Sequence, residues 1–334
     1  MKKKDKVGII IVAAMIAVIL LSLLGIRLGY RLPVQDFYGK SDKEFKLVDT
    51  GKGFEAEGVC YDAERNIYYV SGVMKDGSKT PIYLMDGSKH RVLNKVFLRL
   101  SDNSIFSGNA SSIACANGYV YIADPENHRI LIVDRSLMEF TAKGHPVPVI
   151  GTFSTEYEND FVTPSFLTVA NGRLFVGETK DDATELSGNH KLTAENGTEN
   201  QAMVVGYTIS KGNEFGLKKA PAEGYSIPDG VHGIAVDDGK IYLSFSNGKE
   251  YSSISLYNAN AAKKQEVTVG ETTLSVRVLT DNEIVKTMKA MPAAEGLLLR
   301  GEELLIMNSA AGKYFFGKLT DANWCYKLDT KYFE

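Results

Sequence analysis

Residues 111–134 read SSIACANGYVYIADPENHRILIVD, three short apolar stretches joined by tight turns. Strands of this length with Asn, Asp and Gly between them form an antiparallel meander. The pattern recurs as EGVCYDAERNIYYVSG from Glu57, FLTVANGRLFVGE from Phe166, HGIAVDDGKIYLSF from His232 and EGLLLRGEELLIMN from Glu295. A unit recurring every fifty to seventy residues or so cannot bury its apolar face alone, so its copies must stack. The chain is therefore expected to be all-β, a β-propeller.

The third strand of four repeats ends alike, at Asp86, Asp134, Asn258 and Asp329. Only TKYFE follows Asp329, so the last repeat lacks an outer strand. The isolated alternation FKLVDT at residues 45–50 supplies one, which closes the ring and leaves no open sheet edge. The count gives five blades. A sixth is an alternative if residues 188–228 or 265–289 hide one. The polar run at residues 180–200, rich in Asp, Glu, Asn, Gly and Thr, reads as a solvated surface loop.

Residues 8–25 contain no charge and are long enough to cross a bilayer as a helix. Lys2, Lys3, Lys4 and Lys6 precede them, which places the N-terminus in the cytoplasm and the body outside. The expected division is a basic cap at 1–6, a transmembrane signal anchor at 7–28, a tether at 29–44 and a propeller at 45–334. The protein is thus expected to be single-pass in the cell membrane. The first 31 residues hold six of the 38 basic residues and one of the 41 acidic ones, so the remainder carries 32 against 40, a net of −8. An acidic body repels phosphate backbones, which excludes nucleic acid as a partner. Three cysteines are too few for a disulfide framework, and Cys60 and Cys115 fall on opposite strand faces when the repeats are aligned. Asn109-Ala-Ser and Asn196-Gly-Thr match the N-glycosylation acceptor pattern.

Residues 117–134 resemble an NHL repeat in their strand, Ala-Asp, Asn-His-Arg, apolar strand and Asp. Glu57-Gly58 with Asp62, and Pro228-Asp229-Gly230, are similar to the regucalcin, gluconolactonase and strictosidine-synthase propellers. The first resemblance implies a binding scaffold. The second implies a divalent-metal lactone hydrolase, with Glu57 at the position of that group's glutamate ligand and an Asn and an Asp on later blades completing the set.

Alignment of the repeats places Glu57, Ser111, Ser165, His232 and Glu295 at one register, just before each innermost strand. In a propeller these converge at one mouth of the central channel, which makes them the candidate ligand-binding ring. Glu57, Glu295 and His232 could hold Ca²⁺, Mg²⁺, Mn²⁺ or Zn²⁺, and a metal there would activate water for lactone or ester hydrolysis. Asp124, Glu178 and Asn308, at the ends of second strands, are secondary candidates for ligand contact or for turn capping. The leading reading is a membrane-anchored module that binds a small molecule, an envelope component or a protein. The alternative is the metal-dependent hydrolase.

Overall fold

Asn117 and Gly118 both have positive φ, 49° and 85°, as a two-residue hairpin turn requires. They join Ile113–Ala116 to Tyr119–Asp124, and Arg129–Asp134 follows as a third antiparallel strand. The computed structural model describes residues 3–181, 184–248, 250–309 and 317–334. Within them this meander occurs five times.

Blade 1 is Phe54–Asp62, Ile67–Met74, Pro81–Asp86 and Val92–Arg99, with Pro146–Pro148 added in parallel at its outer edge. Blade 2 adds Gly151–Ser154 to the three strands above. Blade 3 is Phe166–Ala170, Arg173–Gly177, Ala202–Ile209 and Leu217–Ile227. Blade 4 is Val231–Asp237, Lys240–Phe245, Ser253–Asn258 and Ile284–Lys289. Blade 5 is Ala294–Arg300, Glu303–Asn308, Trp324–Asp329 and, from the far end of the chain, Ser41–Lys46. The five innermost strands touch in order around the axis, the fifth returning to the first. One buried apolar cluster fills each of the five gaps between blades.

The closure occurs as expected, but four residues earlier. Ser41–Lys46 pairs with Trp324–Asp329, and Phe45 is buried against Tyr68 of blade 1. There is no sixth blade: Lys264–Val269 and Thr272–Val278 form a hairpin that joins the outer edge of blade 3. The recurrent Asp or Asn that ends each third strand is a turn cap. Asp86 accepts from the Ser88 and Lys89 amides, Asp134 from Ser136, Asn258 from Asn260 and Asp329 from Lys331, the Asx geometry these side chains favour.

Three expectations are corrected. The segment read as a tether is folded: helix Lys3–Arg31 runs into helical turns Leu32–Val34 and Gln35–Lys40, and Val34 and Phe37 are buried in the cluster between blades 4 and 5. Its apolar residues Val34, Phe37 and Tyr38 outweigh the polar composition that had marked it as linker. The polar run at 180–200 is not simply solvated, because His190 and Asn200 are fully buried. Cys60 and Cys115 pack into one core cluster. They sit on neighbouring innermost strands, so the contact crosses between blades and the face each occupies within its own strand does not separate them.

The N-terminal helix is a candidate membrane span, and its residues 8–25 are exposed along their whole length.

Candidate functional site at the channel mouth

The innermost strands of three blades are irregular at one place. In blade 1 Ala56 pairs with Gly72 and Gly58 with Ser71, leaving Glu57 as an extra residue. In blade 4 Val231 pairs with Phe245 and Gly233 with Ser244, leaving His232. In blade 5 two residues, Glu295 and Gly296, stand between the Ala294–Asn308 and Leu297–Ile306 pairs, where the partner strand has one. Each is a β-bulge, which re-aims a side chain that the regular pleat would place elsewhere.

A glycine follows each bulged residue because the innermost strands crowd there. A β-carbon at Gly233 would lie 1.9 Å from the Glu295 carbonyl oxygen, and one at Gly296 would lie 2.4 Å from that of Glu57. The Ser244 hydroxyl donates to the Glu295 carbonyl at 2.7 Å, tying blade 4 to blade 5. In blades 2 and 3 no bulge is needed, since Ser111 and Ser165 lie just ahead of their strands. Ser111 donates to the Pro164 carbonyl at 3.4 Å, and Ser165 Oγ accepts from the Thr179 amide at 3.1 Å.

All five ring residues line one cavity of about 290 Å³, with Asn109, Pro125, Thr163, Thr179, Asp181 and Thr184. Among the described residues no lysine or arginine lines it. Two larger clefts, at the outer edge of blade 3 and beside the N-terminal helix, contain none of the ring residues. Glu57 and Glu295 are half-buried, enclosed by protein except toward the cavity. Burial pushes the Glu57 carboxyl well up from its usual range, and the neighbouring Glu295 charge pushes it further. The Asn109 amide hydrogen-bonds it and opposes the rise. Burial likewise lifts Glu295 to about 7, partly opposed by a hydrogen bond of 2.8 Å from Ser309. The two carboxyls therefore keep a proton between them near neutrality. Burial lowers His232, with Asp181 pulling the other way, so its imidazole is neutral at pH 7.

The site also leaves acceptors open. Asn109 Oδ1 and Thr163 Oγ1 are buried with no hydrogen-bond partner in the protein, a costly state unless something else satisfies them. Asn109 and Thr163 stand two residues ahead of Ser111 and Ser165. That second register is present in the sequence at a fixed offset from the ring, and the glycosylation pattern at Asn109 masks it.

The proposed metal ligands do not form a ligand set. Among the described residues no three His, Cys, Asp or Glu side chains gather closely enough to hold an ion. Glu57 feels the charge of Glu295, whereas the charge acting on His232 is that of Asp181. The secondary candidates are structural. Asp124 is fully buried, bound by Arg129 at 2.7 Å and Asn127 at 2.9 Å, so the Asn-His-Arg triplet holds the turn. Glu178 is fully buried, accepts from the Thr163 and Met203 amides and pairs with His190 at 2.9 Å. Asn308 is buried too, and none of the three lines the cavity.

His190 also lies 3.4 Å from Asp160, which accepts from the Ser187 hydroxyl and the Gly270 amide. This enclosed cluster pins the 180–200 excursion to blade 3, and Thr179, Asp181 and Thr184 at its start reach the cavity. The composition of the run concealed this, because a single histidine decides it.

Fold and site together define a five-bladed β-propeller that carries one N-terminal apolar helix and a carboxyl-bearing cavity at one mouth of its channel. Neither a protein-family model nor a curated protein sequence matches the chain. Solved structures do. Aldose sugar dehydrogenase from Streptomyces coelicolor in its PQQ-bound form is 13% identical with a TM-score of 0.48, over 86% of this chain and 96% of that one. Glutaminyl cyclase from Myxococcus xanthus is 9% identical with a TM-score of 0.44, over 86% and 94%. The tail fiber of Staphylococcus aureus phage P68 is 13% identical with a TM-score of 0.46, over 88% and 54%. The resemblance to NHL and gluconolactonase propellers stands at the level of the propeller itself.

Proposed function

We propose that the protein is a membrane-anchored binding module whose channel mouth takes a small, donor-rich ligand, a primary amine or a polyol. The observation that carries this reading is one cavity of about 290 Å³ lined by Glu57, Glu295, Asp181 and open Asn109 and Thr163 oxygens, with no lysine or arginine among the described residues that line it. An ammonium group brings three N–H donors and a positive charge to such a set. The helix holds the propeller at the membrane, and the lysines at residues 2–6 put the N-terminus in the cytoplasm and the propeller outside. The metal-dependent hydrolase is not favoured, because its ligand set does not assemble.

The test is titration calorimetry of full-length protein in detergent with ethanolamine, glucosamine, glucose and Ca²⁺. Ethanolamine, whose amine stays protonated over this range, should bind more tightly at pH 8 than at pH 6, since the carboxyl pair gains charge as pH rises through about 7. Binding should fall about tenfold or more in Glu57→Gln and Glu295→Gln. Binding that both variants leave unchanged, or stoichiometric Ca²⁺ uptake in its place, refutes the reading.

A further inference from the structure

In every blade the innermost strand starts at the mouth and the second strand returns to it, so the connections from second to third strands lie at the mouth end. Among the described residues these include 246–248 and 250–252 in blade 4 and 309 and 317–323 in blade 5. The N-terminal helix meets the propeller on these same connections. The Tyr251 hydroxyl donates to the Gly29 and Tyr30 carbonyls at 3.3 and 3.2 Å. Arg27 and Arg31 each reach Asp321 at 3.1 Å, and Tyr38 donates to the Thr320 carbonyl. Tyr30 packs on Ala293, two residues ahead of Glu295 of the ring.

The uncharged run ends at Ile26, three residues before Gly29, a rise of about 4.5 Å along a helix. The helix continues without a flexible joint into turns anchored by buried Phe37, so the propeller cannot swing away. Just beyond the apolar run Arg27, Arg31 and Lys43 surround the single carboxylate of Asp321. That surplus of positive charge stands where lipid phosphates lie. Beside it is a cleft of about 500 Å³ walled by Leu24, Leu28 and Leu32 and edged by Arg27 and Arg31.

We propose that the channel mouth faces the membrane crossed by the helix, and that its ligand is the primary-amine headgroup of a lipid in that membrane. This rests on the mouth being a ligand site, as argued above. Arg27, Arg31 and Lys43 offer donors to the lipid phosphate layer at the helix, and Glu57 and Glu295 offer acceptors to an ammonium at the mouth. A quaternary headgroup, without N–H donors, leaves the Asn109 and Thr163 oxygens unsatisfied.

Two measurements on full-length protein in lipid nanodiscs test it. The first places a fluorophore at Asn247→Cys on the mouth end or at Glu302→Cys on the opposite hairpin, in a Cys115→Ser background. One innermost strand, about 20 Å, separates the two ends. Headgroup nitroxide lipids should quench the Asn247 label several-fold more than the Glu302 label. Equal or reversed quenching overturns the orientation. The second compares phosphatidylethanolamine with phosphatidylcholine nanodiscs, reading the Glu57 and Glu295 carboxyl resonances and lipid retention by native mass spectrometry. Retention of phosphatidylethanolamine should exceed that of phosphatidylcholine about tenfold and be lost in Glu57→Gln. If soluble ethanolamine binds and the lipid does not, the membrane source is refuted while the mouth remains a ligand site. If neither binds, the ligand reading itself fails, whatever the labels show.

Discussion

Glu295→Gln should make the protein more stable, by an amount that grows as pH rises from about 4.5 to 7 and is full above that. In the folded protein burial lifts the Glu295 carboxyl from an ordinary 4.5 to about 7. A carboxyl raised in this way contributes stability that is fully present below about pH 4.5 and is lost as pH rises through about 7. At roughly 1.4 kcal/mol per pH unit, ionising it in place costs up to about 3 kcal/mol at pH 8.5. Glutamine has the same shape, accepts the same hydrogen bond from Ser309 and never ionises, so it escapes that cost. Differential scanning calorimetry of full-length protein in detergent should show the variant unfolding roughly 5 °C higher at pH 8.5, with no difference near pH 4.5. Carboxyl-labelled glutamate NMR should show Glu57 still titrating above its usual range, because its main cause, burial, survives. A difference in melting temperature that is the same at both pH values, or a variant less stable at pH 8.5, refutes the argument.

His190→Ala removes the cation between two buried carboxylates and should cost about 3–5 kcal/mol in urea denaturation. The contribution of His190, raised to about 9, is full below about pH 6.5 and lost as pH rises through 9; that of Asp160, lowered to about 2, is present above about pH 4 and lost as pH falls through 2. The wild type should therefore show from this cluster a plateau between about pH 4 and 6.5 that the variant lacks. Arg129→Ala leaves fully buried Asp124 with Asn127 alone and should cost about 3 kcal/mol in the same assay, without altering ligand binding at the mouth. Gly233→Ala drives a β-carbon onto the Glu295 carbonyl and should cost about 3 kcal/mol, with amide exchange accelerating in the innermost strands of blades 4 and 5.

Much of the propeller is local information. Alternation of apolar and polar residues, Asn-Gly and Asp turns and the Asx caps at Asp86, Asp134, Asn258 and Asp329 act over a few residues, so they can be read along the chain. The missing outer strand of the last repeat likewise required a strand from the N-terminal side, although its bounds moved to Ser41–Lys46. The ring register was legible because each member sits at the same offset from a repeat that can be aligned. The bulges at Glu57, His232 and Glu295 were not, since a bulge exists only relative to a partner strand.

What the sequence by itself determined is therefore a closed ring of repeated meanders, an apolar helix ahead of it, and five polar positions at one mouth. The tertiary structure decided which of those positions act together. It brought Glu57 within reach of the Glu295 charge, set His232 in the field of Asp181, buried Asp124 and Glu178 among fixed partners, and carried Asn109 and Thr163 into the cavity with open oxygens. It also seated the helix on the mouth end of blades 4 and 5. Burial, charge coupling and orientation depend on groups far apart in the chain, and no periodicity along one strand encodes the neighbour that another blade supplies.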